Sequence, residues 1–367
     1  MLISILKKYK KFADIYLISG QVAKVKVNGK IIDVELGVDE DGNNKKFIVT
    51  DKVIEKFVIS KHKDSVSIRQ TLEKEIGPEN TGEKDFSISI EDYGFRVNLF
   101  RTSKGLSSVL RLIPNVIPQF DELGLPRHLL DTAKYKTGLV LVTGVTGSGK
   151  STTLASILNH INTNYSKHVL TIEDPIEFRY VPIKSIMTQR EVGTNTVSFG
   201  HGLRAALREA PDVILVGEMR DRETIETAIK AAETGHLVLS TLHTFSAVQT
   251  IERILGAFDG NDKEIIKNSL ANVLKVIVSQ KLVLTLNKEL EIVYEIVYND
   301  LSIANNIREG KITQMKNTAQ NGDNRDKNIF LNQVLRQKFD QGKLTMEDAL
   351  EYSYDPKELE IMISENQ

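Results

Sequence analysis

The residues with the clearest chemical content in this 367-residue chain are Gly144-Val145-Thr146-Gly147-Ser148-Gly149-Lys150-Ser151. Their spacing fits G-x-x-x-x-G-K-[ST], a turn whose backbone N–H groups surround phosphate oxygens. An apolar run at 138–143 precedes the turn, and residues 152–161 have helical spacing. The loop therefore opens a helix whose N-terminus adds partial positive charge. Gly144, Thr146, Gly147, Ser148, Gly149, Lys150, Ser151 and Thr152 are expected around the phosphates of ATP. Lys150 should reach the β- and γ-phosphates, and Ser151 should ligate Mg2+.

Acids follow at two places. Asp212-Val-Ile-Leu-Val-Gly217-Glu218 reads as a strand with an acid just past its end. Glu218 is expected to hold Mg2+, through water, or to polarise the attacking water. Thr171-Ile-Glu173-Asp174-Pro175-Ile-Glu177-Phe178 puts three carboxylates in five residues. Their mutual repulsion makes sense if a cation or a proton-transfer duty offsets it. Glu177 is the preferred general base, with Glu218 close behind. His236 and His243 bracket another apolar run; along a straight strand they would stand about 23 Å apart and share no metal. Ligands of such sheets bind beyond the carboxyl ends of the strands, which makes His243 the γ-phosphate sensor and His236 a structural or subunit-contact residue. An arginine delivered to the γ-phosphate stabilises transition-state charge. Arg96, Arg101 and Arg111 in the first third, and Arg204, Arg208, Arg220 and Arg222 later, are the available donors.

These groups need a scaffold. Four short apolar, β-branched runs, at 138–143, 169–172, 213–216 and 237–242, alternate with helical or loop segments, the pattern of a parallel sheet covered by helices. Asp221 is an N-cap, residues 224–233 are helical, and Thr234-Gly235 stops the helix. Residues 261–284 are expected to be helical, 317–328 a polar mobile segment, and 327–363 helices broken at Gly342 and Pro356. The first third reads as α+β. Val22–Val27 alternates, Asn28-Gly29 turns, and Lys30–Val34 returns; residues 39–46 form a polar loop and 50–75 have helical spacing. In a second hairpin, 85–90 and 95–100 alternate around a turn at Tyr93-Gly94. Pro114 and Pro118 bracket an extended linker at 114–119, which gives an N-terminal domain over 1–113 and a second over 120–367.

Composition excludes several alternatives. There is no Cys, so no disulfide scaffold, thiol nucleophile or cysteine zinc site is expected. Lys plus Arg (48) balances Asp plus Glu (49), so no broad basic footprint for nucleic acid exists. No run approaches the roughly 18–20 apolar residues of a membrane-spanning helix, and the opening Met1–Leu6 lacks the layout of a signal peptide. A cytoplasmic location is the expectation.

The segments 144–151, 171–178, 189–192, 205–209, 213–221 and 234–244, in that order, resemble the motifs of the secretion-superfamily ATPases, and most closely those of the PilT-like twitching-motility motors. Ala231–Thr244 is the most specific stretch, joined in the first third by Arg96-Val97-Asn98 and Arg111-Leu112-Ile113-Pro114. The resemblance implies an α/β, RecA-like P-loop core with helical C-terminal elements, an N-terminal PAS-like domain, and a homohexameric ring. It implies Mg-ATP hydrolysis that powers type IV pilus retraction through an inner-membrane platform protein, at the cytoplasmic face of that membrane, with a paralogous pilus ATPase as a further partner. By position, Arg96 and Arg111 become the arginines that close the ATP site. Alternatives within the resemblance are a motor of a conjugation or type IV secretion machine and an accessory ring subunit of low turnover. The segment Ser302–Lys311 departs from the retraction pattern A-I-R-N-L-I-R-E-G-K: Ala304 stands in place of an Arg and Asn306 in place of an apolar residue. Assembly and type II secretion relatives typically carry a four-cysteine zinc module, which this chain cannot build.

Overall fold

Apolar alternation with a period of two folds much of the described first unit into antiparallel sheet. The computed structural model describes residues 2–9, 12–27, 30–38, 44–59, 83–90, 93–113 and 116–365. The chain divides into two units. One comprises residues 1–116 with 175–179, the other 117–174 with 180–367.

In the first unit, helix α1 (Leu2–Lys8) precedes strands β1 (Phe12–Ile18), β2 (Lys24–Val27) and β3 (Lys30–Asp33). A small ribbon, β4 (Glu35–Val38) with β5 (Asn44–Lys46), and helix α2 (Asp51–Phe57) come next, then β6 (Glu83–Ile90), β7 (Tyr93–Thr102) and β8 (Gly105–Ile113). Six of these strands form one antiparallel sheet in the order β3-β2-β1-β8-β7-β6. Ile15, Leu17, Val25, Phe95, Val97, Leu99 and Leu110 alternate onto its inner face and are fully buried. The α2 helix is tied down by Asp51, whose Oδ1 accepts from Ser19 Oγ at 2.8 Å and from Leu106 N at 2.9 Å.

Both expected hairpins form, with differences. Val27 pairs with Lys30, so the Asn28-Gly29 turn lies outside the described residues. Tyr93 and Gly94 do not turn: they pair with Ile90 and Ser89 inside the ladder, and residues 91–92 lie outside the described residues. The end of the expected polar loop at 39–46 is instead β5, paired with β4. Beyond α2, the helical reading of 60–75 lies outside the described residues, as do Pro114 and Asn115 of the linker. Strands β1 and β8 had no clear sequence signal.

The second unit is built on a seven-stranded sheet. Its strands are β9 (Gly138–Thr143), β10 (His168–Glu173), β11 (Ile186–Glu191), β12 (Val213–Val216), β13 (Leu237–Leu242), β14 (Leu274–Leu284) and β15 (Leu290–Tyr298), in the order β11-β10-β12-β13-β9-β14-β15. All neighbours are parallel except β14 with β15. Every residue of β9, β12 and β13 is buried, as expected for strands covered on both faces. The covering helices are α3 (Lys150–Asn164), α4 (Phe199–Ala206), α5 (Arg222–Glu233), α6 (Ala247–Leu255) and α7 (Gly260–Val273). Ser198, Asp221 and Ser246 cap α4, α5 and α6 by accepting from His201, Thr224 and Gln249 N–H groups.

The helical reading of 261–284 is half wrong. The helix ends at Val273, and Leu274–Leu284 is a strand lying between β9 and β15. After β15 come α8 (Leu301–Glu309), α9 (Met315–Asn321), α10 (Leu331–Asp340), α11 (Met346–Tyr352) and α12 (Pro356–Ser364). The breaks fall where expected: Gly342 supplies a left-handed turn at φ 68° between α10 and α11, and Pro356 opens α12 after the gap that follows α11. The polar segment at 317–328 is not a loose loop. Its first part is helical, and the buried Asn328 accepts from Tyr298 N and donates to Ala319 O, both at 2.8 Å.

Candidate functional site

The sheet register brings the chemical groups of the second unit to one edge. Thr143 pairs with Leu242, Val216 with Ser240, and Ile172 with Val216. The phosphate loop, Glu218, His243 and Glu173 therefore all leave the carboxyl ends of adjacent parallel strands, where ligands of such sheets bind.

The loop itself has the geometry its glycines require. Gly144, Gly147 and Gly149 adopt φ of 145°, 82° and 86°. At Gly144 space is closed as well: a Cβ there would stand 2.2 Å from the Gln280 carbonyl oxygen and 2.5 Å from Ser148 Oγ. Gly149 N-caps α3, so the first N–H groups of a 15-residue helix face the loop. Lys150 is buried, and its ammonium donates to the Gly144 and Val145 carbonyls at 2.8 and 3.0 Å. The Ser148 hydroxyl is buried without a hydrogen-bond partner. A buried orphan hydroxyl and a lysine held by loop carbonyls fit a bound anion that offers both of them acceptors. Thr146, Gly147, Ser151 and Thr152 line the open side, where none is fully buried.

Past β12, Glu218 is 18% exposed and holds two partners. Its Oε2 accepts from Arg220 Nε at 2.7 Å, and its Oε1 is 3.4 Å from His243 Nε2. The strand ends that carry this pair are laced together: Thr241 Oγ1 donates to the Gly217 carbonyl at 2.6 Å, and Met219 N to the Thr241 carbonyl at 3.1 Å. The structure thus joins Glu218 and His243, which the sequence offered as separate candidates. His236, at the opposite end of β13, is held by the Ala231 carbonyl 2.9 Å from its Nδ1. Glu173 is buried at the end of β10 and accepts from Thr171 Oγ1 at 2.7 Å. Among the described residues, no group of three His, Asp or Glu side chains converges as a metal site. A Mg2+ ion here would depend on phosphate oxygens together with Ser151 and Glu218, in keeping with that ion's habit of taking few protein ligands.

The remaining candidates lie in the first unit. Arg96 and Arg111 are direct cross-strand neighbours on β7 and β8. Arg111 Nε donates to the buried Asp14 Oδ1 at 2.9 Å, yet the Arg111 side chain stays 70% exposed. The Asp14 carboxylate, through that bond and its charge, raises the Arg111 pKa; Glu177 adds to the effect from farther off. Glu177 is exposed and belongs to the segment 175–179, whose Arg179 lies over Gly94 at the start of β7. Of the other arginines, Arg204 pairs with Glu223 and Arg222 with Asp262.

Sequence reasoning missed Gln280. It lies on β14, in the segment read as helix, and it contacts both the loop and α3. The only available signal was a polar Ser279-Gln280 pair inside an apolar, β-branched run.

The model for type II/IV secretion system proteins matches residues 57–348. The chain belongs to the type II/IV secretion system protein family. A type IV pilus retraction ATPase, PilT, of Pseudomonas aeruginosa is 45% identical over 241 residues, 65% of this chain and 70% of that protein. A type IV pilus ATPase, PilU, of the same organism is 36% identical over 362 residues, 96% of this chain and 87% of that protein. The crystal structure of the pilus retraction motor PilT with bound ADP superposes with a TM-score of 0.86 at 41% identity, covering 98% of this chain and 99% of that one. The second unit is the RecA-like ATPase core of this secretion family, and the chain is one of its ATPases.

Proposed function

We propose that this chain is a Mg-ATP-hydrolysing motor of the pilus-retraction type, working as a homohexamer at the cytoplasmic face of the inner membrane and acting on pilin through a membrane platform protein. The observation that carries the reading is the shared sheet edge. There the phosphate loop with Lys150 and Ser151 meets the paired Glu218 and His243, in a chain that aligns with PilU over 96% of its length.

In this reading Lys150 leaves the Gly144 and Val145 carbonyls for the β- and γ-phosphates. The N–H groups of 147–152 and the Ser148 hydroxyl hold the phosphate oxygens. Ser151 and Glu218 would hold Mg2+, which would neutralise charge on the phosphates. His243, steadied by Glu218, faces the γ-phosphate. Either Glu177 or Glu218 orients and deprotonates the attacking water. Arg96 and Arg111 supply positive charge to the transferred group. A paralogous pilus ATPase is a further partner in the same machine.

Ala304 and Asn306 support a second reading, a related motor of a conjugation or type IV secretion machine. Ala304 is buried where retraction motors carry an Arg, and Asn306 Nδ2 donates to Thr318 Oγ1 at 2.7 Å, an altered local packing of α8. A deletion strain separates the two. Excess surface pili mean retraction, whereas unchanged pili with lost DNA or effector transfer mean the second machine.

A further inference from the structure

Gln280 is 3% exposed, and both ends of its amide are used inside the phosphate-loop region. Nε2 donates to the Ser148 carbonyl at 2.7 Å, and Oε1 accepts from Thr153 Oγ1 at 2.9 Å. Its main-chain carbonyl fills the space beside Gly144, the first residue of the loop. The neighbouring Ser279 accepts from Thr143 Oγ1 at 2.9 Å, immediately before the loop. One short stretch of β14 therefore touches the entry of the loop, its middle and the first turn of α3.

The bond to Ser148 has a directional consequence. In a trans peptide the C=O and the following N–H point in opposite directions. Fixing the Ser148 carbonyl on the Gln280 side therefore turns the Gly149 N–H the other way, into the turn. Without the Gln280 donor, the buried carbonyl would be left unsatisfied, at a cost that favours rotation of that peptide and loss of the inward N–H.

We infer that Gln280 is a positioning residue for nucleotide binding, holding the Ser148–Gly149 peptide in the orientation that presents its N–H to phosphate. The inference rests on the ATPase reading above. Gln280 itself touches no substrate, so its removal weakens binding of ATP and ADP alike and raises KM more than it lowers kcat.

The test compares the parent chain with Gln280→Leu, Thr153→Val and Gln280→Glu, using equilibrium binding of a fluorescent ADP analogue alongside steady-state hydrolysis. Gln280→Leu is expected to weaken ADP binding and raise KM about tenfold while kcat stays within about threefold. Thr153→Val, which frees only the acceptor end of the amide, is expected to show a smaller loss and remains informative if Gln280→Leu fails to fold. Gln280→Glu supplies the readout that mere packing would not move. As a buried carboxylate it faces the Ser148 carbonyl with no donor, but as a protonated acid it donates again. Its deficit against the parent should therefore shrink as pH falls from 8.5 to 6, while that of Gln280→Leu stays constant. Parental affinity and KM in Gln280→Leu and Thr153→Val, or a pH-independent deficit in Gln280→Glu, overturn the inference. Failure of the parent chain itself to bind the ADP analogue overturns the ATPase reading and the inference with it.

Discussion

Lys150 holds two loop carbonyls, and in the proposed function it exchanges them for phosphate oxygens, a swap of neutral acceptors for charged ones that strengthens each bond. Lys150→Ala is expected to reduce ATP turnover at least about 100-fold, measured as phosphate release; parental turnover would sink the assignment of the loop. Glu218 is placed differently, because its carboxylate is already shared between Arg220 and His243. Glu218→Gln keeps the size and loses the charge, so ATP should still bind while hydrolysis falls by about 100-fold or more. Glu177→Gln is the companion variant, and whichever of the two traps intact ATP carries the base; if both hydrolyse at the parental rate, neither does. The phosphate loop was legible in the sequence because its glycines and lysine have few other uses at that spacing. The Glu218–His243 contact was not, since 25 residues separate the two and only the pairing of Val216 with Ser240 sets them side by side.

Elements of the second unit were readable where a strand is buried on both faces and flanked by turn residues, as at β9, β12 and β13. Strand β14 was missed because it follows α7 without any breaker: Val273 ends the helix and Leu274 begins the strand. What continued the apolar pattern was a change of period that a run of Leu, Val and Ile conceals. That hidden strand makes Gly144 unusually demanding. Gly144→Ala would force both a positive φ and an overlap with the Gln280 carbonyl, so a loss of about 2–3 kcal/mol in urea unfolding is expected, with nucleotide binding abolished. A pH effect belongs to the segment Arg127–Lys134, a 3-10 helix. Burial, helped by the Lys327 charge, lowers the His128 pKa, and its Nδ1 lies 2.9 Å from the Tyr298 hydroxyl. The folded chain then binds fewer protons than the unfolded one below about pH 6.5, so this stabilisation is complete above that pH and is lost as pH falls toward the folded value. Melting temperatures taken between pH 7.5 and 5.5 should fall less steeply in His128→Gln than in the parent; equal slopes would refute the assignment.

At the scale of the whole molecule, each unit has its own apolar core, one around Ile15, Val97 and Leu110, the other around Leu141, Ile214 and Val238, and a smaller cluster around Val283, Val293 and Leu335 also lies in the second unit. The second core contains Leu139 and Leu141 of β9, the strand that leads into the phosphate loop. Calorimetry is expected to show two transitions, with ADP at about 100 times its Kd stabilising the second by about 2.7 kcal/mol and leaving the first in place; a common shift of both would show that the cores unfold together. Among the described residues no helix is long and apolar enough to cross a membrane. The chain passes from one unit to the other near 116, returns at 175 and leaves again at 179. The first unit is therefore not a detachable bead at the front of the chain. A genetic exchange at the 114–119 linker would deliver it without Pro175–Arg179, leaving Gly94 facing another lineage's five residues. Recombination between relatives should thus succeed only when both stretches travel together, so the two parts of this gene are expected to share one history.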